Sequence, residues 1–200
     1  MKAAVKTSEP SVEQLEFRFA SSHRALDFLA TLADRHRGGL ERLRQPADLD
    51  RWLQAAGLPA TKSASAKDLD QARELREAIN RLVRASMAGR AGAGQDIAYL
   101  NGWATRSPLA PQLNGNLELH WCGPDPVRGA LALLAREAVE LLGRPERELI
   151  RECAAAPECS LLYLDRSRGQ RRRWCEMDRC GSRAKMAGYR QRRATRTDTH

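Results

Sequence analysis

CAAAPECSLLYLDRSRGQRRRWCEMDRC, residues 153–180, is the stretch that decides how the C-terminal part of the chain folds. Its cysteines fall as C-x5-C and C-x4-C with fifteen residues between the pairs, and the fifth cysteine, Cys122, stands well upstream. Two close pairs joined by a short excursion bring four thiolates to one tetrahedral zinc ion, because each pair closes a tight turn and the excursion folds the turns together. Disulfides and four reduced, buried thiols are the competing readings. A cytoplasmic chain of this size has neither the oxidising compartment nor the need for covalent staples. Cys153, Cys159, Cys175 and Cys180 are therefore the expected ligands of one structural Zn2+.

The residues around the cysteines agree with that reading. SLLYLD from Ser160 reads as a short strand, RSRGQ as a turn with Gly169, and RRRWC as a return strand ending on Cys175. From about Cys180 the chain lacks proline and is rich in helix formers. The expected order is knuckle, hairpin, knuckle, helix, a small treble-clef-like module. Its apolar candidates are few, chiefly Leu162, Leu164, Trp174 and Met177, so metal binding would supply much of its folding free energy.

The charge is concentrated in the same region. Between Arg166 and Arg196 stand twelve Lys or Arg against Glu176 and Asp178, a balance of +10 in a chain whose formal charge is +9. The remaining 169 residues thus sum to −1. A basic block confined to one end suits a polyanion better than it suits general solubility. On the expected helix, Arg183, Arg190 and Thr197 recur at seven-residue spacing, while Lys185, Tyr189, Arg192 and Arg196 line a neighbouring stripe. So charged a helix faces water or phosphate, and the guanidinium fork fits phosphate oxygens or guanine. Arg166, Arg168, Arg171, Arg172 and Arg173 are expected against phosphates, and Arg183 and Arg190 against base edges, with Lys185, Arg192 and Arg193 beside them.

The run from Cys153 to Lys185 resembles the CGNR-type zinc finger. Tyr163, Leu164, Asp165, Ser167 and Arg168 match that family's strand and turn. Arg173, Trp174, Cys175, Met177, Cys180, Gly181, Arg183, Ala184 and Lys185 match its second half. Ser182 stands where the family has asparagine, and the first cysteine pair encloses five residues where four are usual. The preceding body resembles the ABATE domain that partners this finger: FRFASSHRALDFLATLADR is similar to its opening strand and helix, with Asp27 and Thr31 retained and Ala30 in place of an asparagine. The resemblance implies a bacterial, stress-responsive transcription regulator, with an ABATE-like regulatory domain over residues 15–147 and the finger with its basic helix over residues 148–196.

Read without the family, the body is mainly helical. Ser21 or Ser22 can cap a helix whose stripe is Leu26, Leu29 and Leu32, flanked by Ala25 and Phe28. Leu49, Trp52, Leu53 and Ala56 form a short amphipathic helix stopped by Gly57. A long helix follows from about Ala66, with Leu69, Ala72, Leu75, Ile79, Leu82 and Val83 on one side and alternating charges on the other. Beyond the glycine-rich AGRAGAG another helix carries Ile97, Leu100 and Trp103. Leu117, Leu119 and Trp121 then alternate with polar residues after an Asn-Gly turn, which reads as a strand pairing with LEFRF near the N-terminus. Residues 127–142 are apolar nearly all round, as in a central buried helix. The expected class is α+β, mainly α: a helical body with a small antiparallel sheet, followed by the zinc module.

Function classes narrow accordingly. No run approaches the roughly 18 apolar residues of a membrane span, and MKAAVKTSEPSVEQ lacks the apolar centre of a signal peptide, so a cytoplasmic protein is expected. No phosphate-binding glycine loop, nucleophile elbow or HExxH motif occurs, and four thiolates close a zinc site to catalysis, so no enzyme is expected. His120 and Cys122 form an H-x-C pair that reads as incidental. Asp27, Thr31, Arg76 and Asn101 are polar residues within apolar helices; they read first as satisfying buried backbone groups and salt bridges, and otherwise as the candidates for a small-molecule pocket. The expected partners are DNA, an effector and a second copy of the chain. Two rival readings remain, a zinc-stabilised protein-interaction module and an RNA binder offering Tyr189, Trp174 and Tyr163 as stacking platforms.

Overall fold

The amphipathic stripes form helices that meet on their apolar faces. The computed structural model describes residues 10–58 and 62–197, with residues 191–197 as helix backbone. A single turn, α1 (Val12–Leu15), is closed by a capping box between Ser11 and Gln14. Next come α2 (Arg24–Leu29) and the antiparallel pair β1 (Leu32–Ala33) and β2 (Leu40–Glu41). Three longer helices follow, α3 (Pro46–Ala55), α4 (Ala66–Met87) and α5 (Gly94–Ala104). A hairpin of β3 (Ala110–Leu113) and β4 (Leu119–Cys122) leads into α6 (Pro126–Gly143). The C-terminal part holds β5 (Ile150–Glu152), β6 (Leu162–Leu164) and α7 (Ser182–Thr197).

The helix ends follow ordinary capping chemistry. Ser65 and Asp68 make a reciprocal capping box at α4, and Asp125 accepts from the Arg128 amide at α6, where Pro126 takes the first position. Helix α6 contacts α2, α4 and α5, and Ala130, Leu131, Leu134, Ala135 and Ala138 on it are wholly buried, as its near-continuous apolarity predicts. The main core gathers Leu26, Phe28, Trp52, Leu75, Ile79 and Trp103 around this helix. It also takes in Ile150, Leu162 and Leu164, so its packing runs across the sequence position where the finger was expected to begin.

Three expectations are corrected. The cap of α2 is His23, whose Nδ1 accepts from the Ala25 amide, rather than Ser21 or Ser22. Ser21 is buried, and its hydroxyl donates to the His23 carbonyl instead. Strand β4 pairs with β3, with Leu113 opposite Leu119 and Ala110 opposite Cys122, and not with residues 15–19. The nearby segment closes first, because Asn114 Oδ1 accepts from the Asn116 and Glu118 amides and shapes a short connection. Residues 171–175 are not a return strand: β6 pairs with β5, and Arg173 contributes one carbonyl to the Ala154 amide. Ile150 on β5 shares the core face of Leu164, and that burial decides which segment β6 takes as its partner.

Residues 17–21 are nonetheless extended, and their side chains alternate. Phe17 packs on the main core with the Arg51 guanidinium over its ring, and Phe19 stacks on Trp52 at 6.0 Å. Arg18 and Ala20 point the other way, toward the cysteines. A ladder-like bond here runs from the Leu164 amide to the Ser21 carbonyl, 2.9 Å.

Candidate metal centre

Each cysteine is delivered by a different piece of chain. Cys153 follows β5, and its amide donates to the Leu161 carbonyl across the first loop. The five-residue loop to Cys159 closes through the Cys159 amide on the Ala155 carbonyl, 3.0 Å. Cys175 ends the arginine run, and Cys180 lies in the wide turn Met177–Gly181 that opens α7. In that turn a Cβ on Gly181 would stand 2.5 Å from the sulfur of the exposed Met177 side chain, which would have to move aside.

One sulfur from each of Cys153, Cys159, Cys175 and Cys180 lies within 4.8 Å of all the others, and all four residues are buried. Cys175 Sγ is 3.8 Å from Cys159 Sγ and 3.6 Å from Cys180 Sγ. Zn–S bonds of about 2.3 Å in a tetrahedron place sulfurs about 3.8 Å apart, so the cage fits one zinc ion with no position left open. Cys159, Cys175 and Cys180 shift one another's titration. A hydrogen bond from Cys159 and the charge of Arg18 draw Cys175 down to about 5. Cys159, as donor, is pushed far up, and burial beside Cys175 lifts Cys180 to about 11. A dication among the sulfurs removes the repulsion that drives them apart, because it binds all four as thiolates.

The metal site is not self-contained. Arg18 Nη2, from the N-terminal segment, lies 3.7 Å from Cys175 Sγ and also pairs with Glu176. It therefore neutralises part of the surplus negative charge of a four-thiolate zinc centre. Asp165, wholly buried, shapes the loop that follows β6: its carboxylate accepts from the Ser167 amide and hydroxyl and from the Arg172 amide. Burial alone would raise its pKa, but these donors hold it below the usual carboxylate range.

Among the arginines expected at nucleic acid, Arg172 is reassigned. It donates to the carbonyls of Trp174, Ala20 and Cys175 and stacks 4.5 Å over the ring of Tyr163, whose hydroxyl bonds the Arg172 carbonyl. Its Nε and Nη2 donors are spent inside the protein. Arg168, Arg171, Arg173, Arg183, Lys185 and Arg190 are exposed, and among the described residues none of them has a carboxylate partner. Arg166 is exposed too, but borders a cleft lined by His23, Glu137, Glu140 and Glu146. Arg192 and Arg193 lie on α7, and their side chains fall outside the described residues.

Of the four residues expected to line a pocket, Thr31 and Arg76 meet, and they do so in a buried ion-pair network rather than around a cavity. Arg76 Nη1 donates to Thr31 Oγ1 at 3.1 Å, and the same guanidinium pairs with Glu41 and Glu77. Asp27 Oδ1 accepts from the Ser21 amide, 3.0 Å. Asn101 borders a cavity beside α4 and α6. Of the proposed stacking platforms Tyr163 is buried and Tyr189 exposed. His120 and Cys122 join no group of three potential ligands among the described residues. Sequence reasoning missed Arg18 and Glu176 as partners of the site. A cation between two aromatics in FRF was the available signal, since a strand with two apolar faces does not need one.

Comparison with known families agrees with this geometry. Residues 22–145 match the family model ABATE, described as "Putative stress-induced transcription regulator", and residues 150–193 match the CGNR zinc finger. No curated protein matches the chain.

Proposed function

Because the chain belongs to the ABATE family and ends in a CGNR zinc finger, we propose that it is a zinc-dependent DNA-binding transcription regulator acting by binding rather than catalysis. The zinc folds the module, and the module offers its arginines to a polyanion. The observation that carries this reading is a contrast in pairing. Arg24, Arg35, Arg76, Arg81 and Arg84 of the body each hold a carboxylate, whereas Arg168, Arg171, Arg173, Arg183, Lys185 and Arg190 hold none among the described residues. Unpaired cations on a loop and a helix beside it suit phosphates spaced along a duplex. The helical body would sense an effector or join two copies, and the protein would work in the cytoplasm. No described helix is long and apolar enough to cross a membrane.

A protein partner is the second reading, and one observation favours it: Met177, Met186 and Tyr189 stand more than half exposed beside the arginines. Fluorescence anisotropy with a labelled duplex separates the two. DNA binding should weaken steeply with salt, the logarithmic slope growing by about 0.9 for each phosphate neutralised. Replacing Arg168 and Arg171, the exposed arginines expected at phosphates, together with alanine should flatten that slope by about two. Affinity indifferent to salt, or unmoved by the double replacement, would favour the protein partner.

A further inference from the structure

A cavity of about 590 Å3 opens between the C-terminal ends of α4 and α6 and the N-terminal end of α5. That is within the roughly 300–1,000 Å3 of small-molecule sites. Its walls are Leu82, Ile97, Leu100, Val139 and Leu142, and Ile97 is 43% exposed, so apolar surface is left open within it. The glycine-rich turn after α4 passes close by: a Cβ on Gly92 would stand 2.5 Å from Leu82 Cδ2, so a side chain there would have to displace the Leu82 tip.

The polar lining has one sign. Arg90 and Arg147 border the cavity and no acidic residue does. Arg90 has no carboxylate partner among the described residues, and Arg147 donates only to the Leu142 carbonyl, 3.3 Å. On helix α4, by contrast, Arg81 holds Asp96 and Arg84 holds Glu152. Asn101 adds an amide that makes no side-chain hydrogen bond among the described residues. An apolar cleft with two unneutralised cations at its edge is complementary to a molecule with an apolar body and one anionic end.

We propose that this groove binds a small amphipathic carboxylate, its apolar body against Leu82, Ile97 and Val139 and its carboxylate between Arg90 and Arg147. Arg147 lies in the turn Pro145–Leu149 that runs directly into β5, so the bound anion touches the connection between body and zinc module. The inference rests on the sensing role proposed for the body, and its test uses no DNA.

Calorimetric titration of the zinc-loaded, full-length protein with octanoate, octylammonium and 1-octanol reads the site directly. Octanoate should bind saturably at one site, about tenfold tighter than octylammonium, the ratio expected of a charge-assisted bond at a half-open site. In a variant carrying Arg90→Gln and Arg147→Gln, both at exposed positions, octanoate should bind no better than 1-octanol. No saturable octanoate binding, equal binding of octylammonium, or octanoate binding unchanged in the double variant would each overturn the proposal. Octanoate binding by a protein that fails to bind DNA would refute the regulator reading and leave this site standing.

Discussion

Arg18 reaches across 157 positions of sequence to place its guanidinium against the sulfur of Cys175. Partners outside the ligand shell commonly change metal affinity by about 10- to 100-fold. Arg18→Gln should therefore lose zinc to a competing chelator at about tenfold lower chelator concentration, and Arg18→Lys should recover part of the loss. Equal zinc retention in all three proteins would reduce Arg18 to a packing residue. Asp27 makes a different point about burial. It has no cation beside it, and burial raises its pKa against the Ser21 amide that favours the ionised form. A carboxylate whose folded pKa is raised contributes stability that is present while it is protonated and is lost as pH rises through that pKa. Asp27→Asn keeps the acceptor for Ser21 and removes the charge. The variant should melt at or above the wild-type temperature near neutral pH, and the gap should close toward about pH 4. A wild type that is the more stable near neutrality would show that the charge is compensated. Neither residue's role is legible locally, since the fold supplies the sulfur in one case and the burial in the other.

Strand β6 joins two cores because its side chains alternate. Leu162 and Leu164 enter the helical core, while Leu161 and Tyr163 on the opposite face pack with the cysteines. Leu164→Ala should cost about 2–5 kcal/mol, as expected for a buried leucine, and should lower zinc retention as well as the melting temperature. Chemical denaturation followed by helix content and by zinc release should give coincident curves; a zinc module that survives melting of the helices would refute the coupling. The strand itself was legible as the short apolar run SLLYLD ahead of a turn containing Gly169, but its partner was not. Pairing of β6 with Ile150–Glu152 depends on Ile150 sharing a core face, which no local pattern displays. Helices α3 to α6 were legible because their stripes repeat over several turns, whereas the cap of α2 passed to His23 once Ser21 was drawn inward.

At the scale of the whole molecule, zinc and the helical core are parts of one packing arrangement. The N-terminal segment sets Phe17 on the helical core and Arg18 and Ala20 against the cysteines, and the chain at β6 sets Leu162 and Leu164 on the first and Leu161 and Tyr163 on the second. Stripping zinc should therefore lower the melting temperature of the entire protein and expose four thiols to a thiol reagent together. If the helices melted unchanged after zinc removal, the module would be an independent appendage. The charge distribution was readable in full from the chain, because formal charge is additive along a sequence. So were the four cysteines, since ligand spacing is a property of short loops and zinc accepts whatever brings four thiolates to about 2.3 Å. What only the tertiary structure decided is which groups those charges meet. Arg172 turns inward onto three carbonyls, Arg168 and Arg171 stay in water, and Arg90 and Arg147 are left unneutralised beside an apolar groove. The physical reason is range: cysteine spacing and helical stripes act over a few residues, whereas the partner of a long cationic side chain is set by elements that only folding brings within its reach.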